Sequence, residues 1–366
     1  MLSHTSPMSD SVAAATEHVP PPAPGYATPD AGADVALPPG RATFAGHLGI
    51  ARIDHWTKNV FVLPGTLAAV ALTGHPFGAA EAVRLAIGLF AVGLVASSNY
   101  TINEVLDAPF DLRHPIKRHR PVPSGRVNVP LAYVQWIALG VVGVGLGWTL
   151  GAPFALTLFA LWVMGCVYNI RPFRSKDVPY VDVLTEAINN PIRMVAGWYV
   201  LGQMPVPPAT LLLSYWMVGC FFMGIKRYNE VRELGGSGML AAYRKSLAYF
   251  TPERMLVAIM FYGSAAMLFF GAFIMRYRIE LVAAFPLVAI VMARYLELGF
   301  RTDSAAQNPE KLYRERGLMA AVVACTAVIA LLMIVDLPWL REVLDPQFLN
   351  GAPAGAPAPT FPATPR

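Results

Sequence analysis

Asn103, Asp107 and Asp111 stand four residues apart in the stretch Asn103-Glu104-Val105-Leu106-Asp107-Ala108-Pro109-Phe110-Asp111. At about 100° per residue, eight steps along a helix return to within about 40° of the start, so the amide and both carboxylates share one face. Hard oxygen ligands aligned this way suit Mg²⁺, which takes one or two protein carboxylates, keeps several waters and completes its shell with substrate phosphates. A magnesium-bridged diphosphate is the chemistry these residues predict. A solvated acidic loop is the plain alternative, and it leaves the basic residues that follow unexplained. Pro109 is expected to break the helix near its end and let Asp111 turn toward the same centre.

Those basic residues run from Arg113 through Lys117, Arg118 and Arg120 to Gly125. Beside a metal they can grip a multiply charged phosphate; alone they would be only a loop on the positive side of a membrane. A second cluster comprises Tyr168, Arg171, Lys176 and Asp177, then Asp182, Glu186, Asn189, Asn190 and Arg193. Within it Asp182, Glu186, Asn190 and Arg193 recur at helical spacing as one polar stripe entering an apolar segment, and ionisable groups there usually face a bundle interior or a water-filled cavity. The third cluster, Lys226-Arg227-Tyr228-Asn229-Glu230, leaves a later apolar segment at the same end. It either completes a phosphate site or anchors a helix end among lipid head groups.

The elements that must position these residues are membrane helices. Of the 366 residues, 55% are hydrophobic and only 14% charged, with a mean hydropathy of +0.47, which nearly excludes a water-soluble enzyme. Nine apolar segments, centred near Leu67, Phe90, Val141, Leu158, Ala196, Met217, Met267, Ala289 and Val328, are long enough to cross a hydrocarbon core of about 30 Å. Their unbroken hydrophobicity is that of helices and not of barrel strands, so an all-α bundle over residues 45–338 is expected. The Pro/Ala-rich stretches 1–40 and 351–366 read as disordered tails. Most of the 28 Lys and Arg fall in alternate loops, which puts the N-terminus and all three polar clusters on the cytoplasmic side of the membrane. The formal net charge of +5 is accounted for by anionic lipid and needs no nucleic-acid partner. The loops at the opposite end, Gly151-Ala152 and 202–208, are too short to carry chemistry. The three cysteines lie far apart in apolar blocks, against a disulfide framework or a Cys-based zinc site.

With these residues in view the chain resembles the UbiA superfamily of intramembrane prenyltransferases. Asn103-x-x-x-Asp107-x-x-x-Asp111 matches that superfamily's first aspartate-rich motif, and Asp182-x-x-x-Glu186 resembles its second. Glu104 stands where the superfamily more often has Asp. Further matches point to the decaprenyl-phosphate phosphoribosyltransferase branch: the Arg52 to Asn59 opening, His114-Pro115-x-Lys117-x-x-Arg120-Pro121-x-x-x-Gly125, Arg193-Met194-Val195-Ala196-Gly197, Lys226-Arg227-x-x-Glu230, and Tyr243-Arg244-x-x-Leu247. Residues 53–55 depart from that branch's usual Pro-x-Gln.

The resemblance implies a bacterial inner-membrane enzyme in which the phosphate of a polyprenyl phosphate attacks the anomeric carbon of 5-phosphoribosyl diphosphate and Mg²⁺-bound pyrophosphate leaves. Asn103, Asp107 and Asp111 are then the expected metal and diphosphate holders, with Asp107, Asp111, Asp182 and Glu186 as the catalytic carboxylates. Lys58, Asn103, Lys117, Arg120, Tyr168, Asn190, Arg193, Lys226, Arg227 and Glu230 are the expected substrate contacts. The partners are a polyprenyl lipid, a diphosphate-bearing donor and the surrounding membrane lipid. Prenyl transfer from a polyprenyl diphosphate to an aromatic acceptor would use the same first motif. A transporter would instead place carboxylates near mid-membrane in two repeats, and a scaffold would not depend on Asp107.

Overall fold

The computed structural model describes residues 40–112, 117–234, 245–301, 312 and 314–344. The expected terminal tails (Gly40 apart), residues 113–116 with His114, and residues 243–244 lie outside them. All regular structure among the described residues is helical: α1 (Phe44–Ile50), α2 (Leu63–Thr73), α3 (Ala79–Asp111), α4 (Val129–Trp148), α5 (Ala152–Asn169), α6 (Val181–Ala187), α7 (Asn189–Tyr199), α8 (Ala209–Leu234), α9 (Pro252–Tyr277), α10 (Phe285–Gly299), α11 (Arg316–Ile334) and α12 (Pro338–Leu344). Local chemistry sets several starts. Pro130 and Pro252 occupy first-turn positions that need no N–H, while the side chains of Asn128 and Thr251 accept from Leu131 N and Arg254 N.

Seven of the expected spans are continuous apolar helices, one of which includes the 3₁₀ turn before α10. The outer faces stay apolar: Val134 and Val141 on α4 and Phe261 on α9 are each more than 60% exposed, a surface that only lipid accommodates. The protein is an integral membrane protein. The other two expected spans are broken. The segment around Leu67 is a 3₁₀ stretch, Ile53–Val62, running into α2, and the segment around Ala196 is divided at Ile188 into α6 and α7. These two interrupted segments pack backbone to backbone. A Cβ on Gly65 would meet Met194 O at 1.8 Å, and one on Gly197 would meet Val62 O at 1.9 Å. Thr66 Oγ1 donates to Gly197 O across the same contact at 2.9 Å. Small residues permit this approach, as is usual between helices in lipid.

At about 1.5 Å per residue the 33 residues of α3 extend about 50 Å, well beyond a hydrocarbon core of about 30 Å. Its length leaves the last turns, which carry Asn103, Asp107 and Asp111, free to lie beyond the hydrocarbon core while staying packed against the loops that follow α3 and α5. Pro109 does not break the helix, which runs on to Asp111, with Leu112 N still bonded to Ala108 O. A proline in the last turn removes a single ladder bond, and buried Ala108 and the Asp111 ion pair described below hold the end in place.

Candidate functional site

The first motif meets the loop after α5. Asp107 Oδ1 accepts from Lys176 Nζ at 2.5 Å and from Arg174 Nη2 at 3.0 Å. Asp111 Oδ2 accepts from Arg120 Nη1 at 2.7 Å. Asn103 Nδ2 donates to Asn169 Oδ1 at the end of α5, and the same oxygen accepts from Lys176 Nζ at 2.9 Å. Arg174 reaches this position from left-handed backbone, φ 32°, and is tied locally to Asp177 Oδ2 and Asn169 O. Strained conformations of this kind persist where surrounding contacts over-determine them.

The second motif closes on the end of α8. Arg227, only 2% exposed, donates from Nε to Asp182 Oδ2 (3.2 Å), from Nη2 to Glu186 Oε2 (2.7 Å) and from Nη1 to Glu230 Oε2 (2.7 Å). Ser246 Oγ also donates to Asp182 Oδ2, at 3.2 Å. One guanidinium thus gathers three carboxylates through its rigid fork of donors. Tyr168 joins the halves: its hydroxyl donates to Glu186 Oε2 at 2.8 Å while Lys176 Nζ lies 5.8 Å over its ring. The path Asp107–Lys176–Tyr168–Glu186–Arg227 places both acidic motifs in one network at one end of the bundle.

The remaining expected contacts are distributed around it. Lys117 lies within electrostatic range of Asp111. Lys226 lies within range of Glu186, Glu230 and Lys58, which brings the 3₁₀ stretch before α2 to the same site. The polar stripe expected across α6 and α7 is divided by the break at Ile188. Asp182 and Glu186 face Arg227, Asn190 packs against Gly219 of α8, and Arg193 lies deeper, among Tyr100 and Tyr215. Glu104 does not join the acidic face; it is 3% exposed and accepts from Val122 N at 3.1 Å, bracing the basic loop. Arg174, Asn169 and Ser246 were not among the expected site residues, and Lys176 was placed only in its cluster. Loop residues have no period from which a partner on another helix can be read.

Among the described residues no three His, Cys, Asp or Glu side chains form a metal cage. The donor set on α3, two carboxylates with an amide beside them, is hard and incomplete, and it fits a cation that draws its other ligands from water and phosphate.

Fold and site together define a polytopic membrane transferase, and the chain belongs to the UbiA prenyltransferase family, which it matches over residues 60–321. It is 31% identical over 240 residues to the decaprenyl-phosphate phosphoribosyltransferase of Mycobacterium tuberculosis, covering 65% of this chain and 76% of that one. The enzyme of the same name from Corynebacterium glutamicum is 30% identical over 215 residues, covering 57% and 60%. A UbiA homologue from Archaeoglobus fulgidus, solved with GPP and Mg²⁺, superposes with a TM-score of 0.59 at 18% identity, over 79% of this chain and 99% of that one.

Proposed function

We propose that the protein transfers 5-phosphoribosyl from phosphoribosyl diphosphate to a polyprenyl phosphate, releasing pyrophosphate, at the cytoplasmic face of a bacterial inner membrane. The observation that carries this reading is the density of cations in the acidic network. Lys176, Arg174 and Arg120 contact the first motif and Lys117 stands near it, while Lys226 lies within range of Glu186 and Glu230, with Lys58 beside it. A prenyl diphosphate presents one diphosphate; phosphoribosyl diphosphate adds a separate phosphate and calls for more positive charge. The similarity to the two phosphoribosyltransferases supports the same choice.

In this reading a phosphate oxygen of the lipid attacks the anomeric carbon, and the bond from that carbon to the diphosphate breaks with its electron pair leaving on pyrophosphate. The nucleophile is already an anion, so no general base is required. Asp107 and Asp111, with the amide oxygen of Asn103, would hold Mg²⁺. When bound, the ion neutralises charge developing on the leaving group. Arg174, Lys176 and Arg120 release the carboxylates as substrate arrives and turn to the phosphate oxygens, exchanging one set of opposite charges for another. Arg227 holds Asp182, Glu186 and Glu230 in place, and the two acids on α6 face the sugar. The packed helices exclude water, which would otherwise compete as the nucleophile.

The test is turnover by protein in lipid nanodiscs. Phosphoribosyl diphosphate with polyprenyl phosphate should give a phosphoribosylated lipid and pyrophosphate in amounts that chelation abolishes, while geranyl diphosphate with 4-hydroxybenzoate gives none. The reverse pattern would assign prenyl transfer to an aromatic acceptor.

A further inference from the structure

Arg193 sits in α7, the inner half of a broken span, and is 8% exposed. Among the described residues it makes no ion pair. Its one hydrogen bond is a long contact from Nη1 to the backbone oxygen of Asn189, 3.4 Å, and its Nε is buried without a partner. Its electrostatic neighbours are the phenols of Tyr100 on α3 and Tyr215 on α8. Every other site arginine whose guanidinium is buried to a comparable degree has a carboxylate: Arg227 has three, and Arg174 has two. A guanidinium withdrawn from water inside an apolar bundle is costly unless an anion meets it.

The position of Arg193 says which anion. Tyr100 lies seven residues before Asp107 on the continuous helix α3, about two turns or roughly 10 Å inside the acidic layer, and Arg193 on α7 has Tyr100 as its electrostatic neighbour. The diphosphate belongs with the metal-holding acids of that layer. An anion held about 10 Å away is a different group, and in a displacement at carbon the incoming oxygen must approach from the side opposite the leaving diphosphate.

We infer that Arg193 is a second anion subsite that takes a phosphate monoester, distinct from the diphosphate site. This rests on the phosphoribosyl-transfer reading, in which two monoesters are present: the phosphate of the lipid acceptor and the 5-phosphate of the donor. A planar guanidinium receives either through paired N–H···O bonds.

The test is direct binding to the full chain in nanodiscs, with polyprenyl phosphate, polyprenol, phosphoribosyl diphosphate with Mg²⁺, and pyrophosphate with Mg²⁺ as probes. Binding of the two phosphorylated substrates to the unsubstituted protein tests the reading itself, separately from the variants. Arg193→Gln is expected to weaken one monoester by about tenfold or more. Loss of polyprenyl phosphate with phosphoribosyl diphosphate unchanged assigns the lipid phosphate. Loss of phosphoribosyl diphosphate with pyrophosphate unchanged assigns the 5-phosphate. Arg193→Lys keeps the charge without the fork and should fall between. Arg193→Leu removes an unneutralised charge, so the ligand-free protein should melt no lower than the unsubstituted one. Affinities within twofold for every probe in Arg193→Gln and Arg193→Lys, or a large fall in the ligand-free melting temperature of Arg193→Leu, would overturn the inference in favour of a structural cation.

Discussion

At Asp107 two cations compete for one carboxylate, Lys176 at 2.5 Å and Arg174 at 3.0 Å, and the consequence of removing each partner differs. Asp107→Asn keeps an oxygen for the lysine but loses the charge a divalent ion requires. Turnover is expected to fall about 100-fold with little change in melting temperature, measured side by side in nanodiscs. Lys176→Gln removes a cation that would transfer to phosphate, so it should raise the KM for the phosphorylated donor about tenfold and leave kcat less affected. Arg227 is the opposite case. Its 2% exposure and three carboxylate partners make it the keystone of the second motif, and Arg227→Gln leaves Asp182, Glu186 and Glu230 facing one another. Breaking a buried ion network from one side costs about 3–5 kcal/mol, so this variant should melt markedly lower, with folded yield as the readout.

Among the elements, the two interrupted spans are where the fold constrains function most. Gly65 of α2 and Gly197 of α7 each face the other helix's backbone at distances no Cβ can share. Gly65→Ala must push α2 away from α7, which carries Arg193 and follows directly on α6 with Asp182 and Glu186. Overpacking of this kind costs about 1–3 kcal/mol where neighbours can move, and backbone cannot move far. The expected result is a lower melting temperature together with reduced turnover. By contrast Gly145 of α4 has open space around it, and Gly145→Ala should change neither. At Ile188 the backbone stays right-handed, and Pro191, which has no N–H to give the carbonyl of Ala187, falls in the first turn of α7; Asp182 and Glu186 still meet Arg227 of α8, and Arg193 has Tyr215 of the same helix within electrostatic range.

Across the whole molecule, the two acidic motifs and the cations paired with them gather at one end, so the sidedness of the membrane decides whether the enzyme meets soluble donor. Single cysteines introduced at Lys117 and at His75, which stand at opposite ends of α3, should be labelled by an impermeant maleimide from opposite sides of the membrane. In intact cells only the variant at His75 is expected to react. The reverse result would place the site outside and remove phosphoribosyl diphosphate as a donor.

Membrane residence, helical class and the acidic motif on α3 were legible along the chain because each follows from a repeat or a run: apolar length sets a span, and a four-residue interval sets a helix face. Seven of the nine expected segments stand as continuous helices on that basis. The continuation of α3 through Pro109 was not legible, since it balances one lost backbone bond against contacts made by distant residues, whereas the breaks before α2 and at Ile188 have a local mark in Pro64 and Pro191, each in the first turn of the helix that follows. Pairing was decided only in three dimensions. No spacing assigns Arg174 and Lys176 to Asp107, sets Arg227 among three carboxylates, or leaves Arg193 with none. A charge finds its partner through the packing of whole helices, and that packing is a property of the folded bundle.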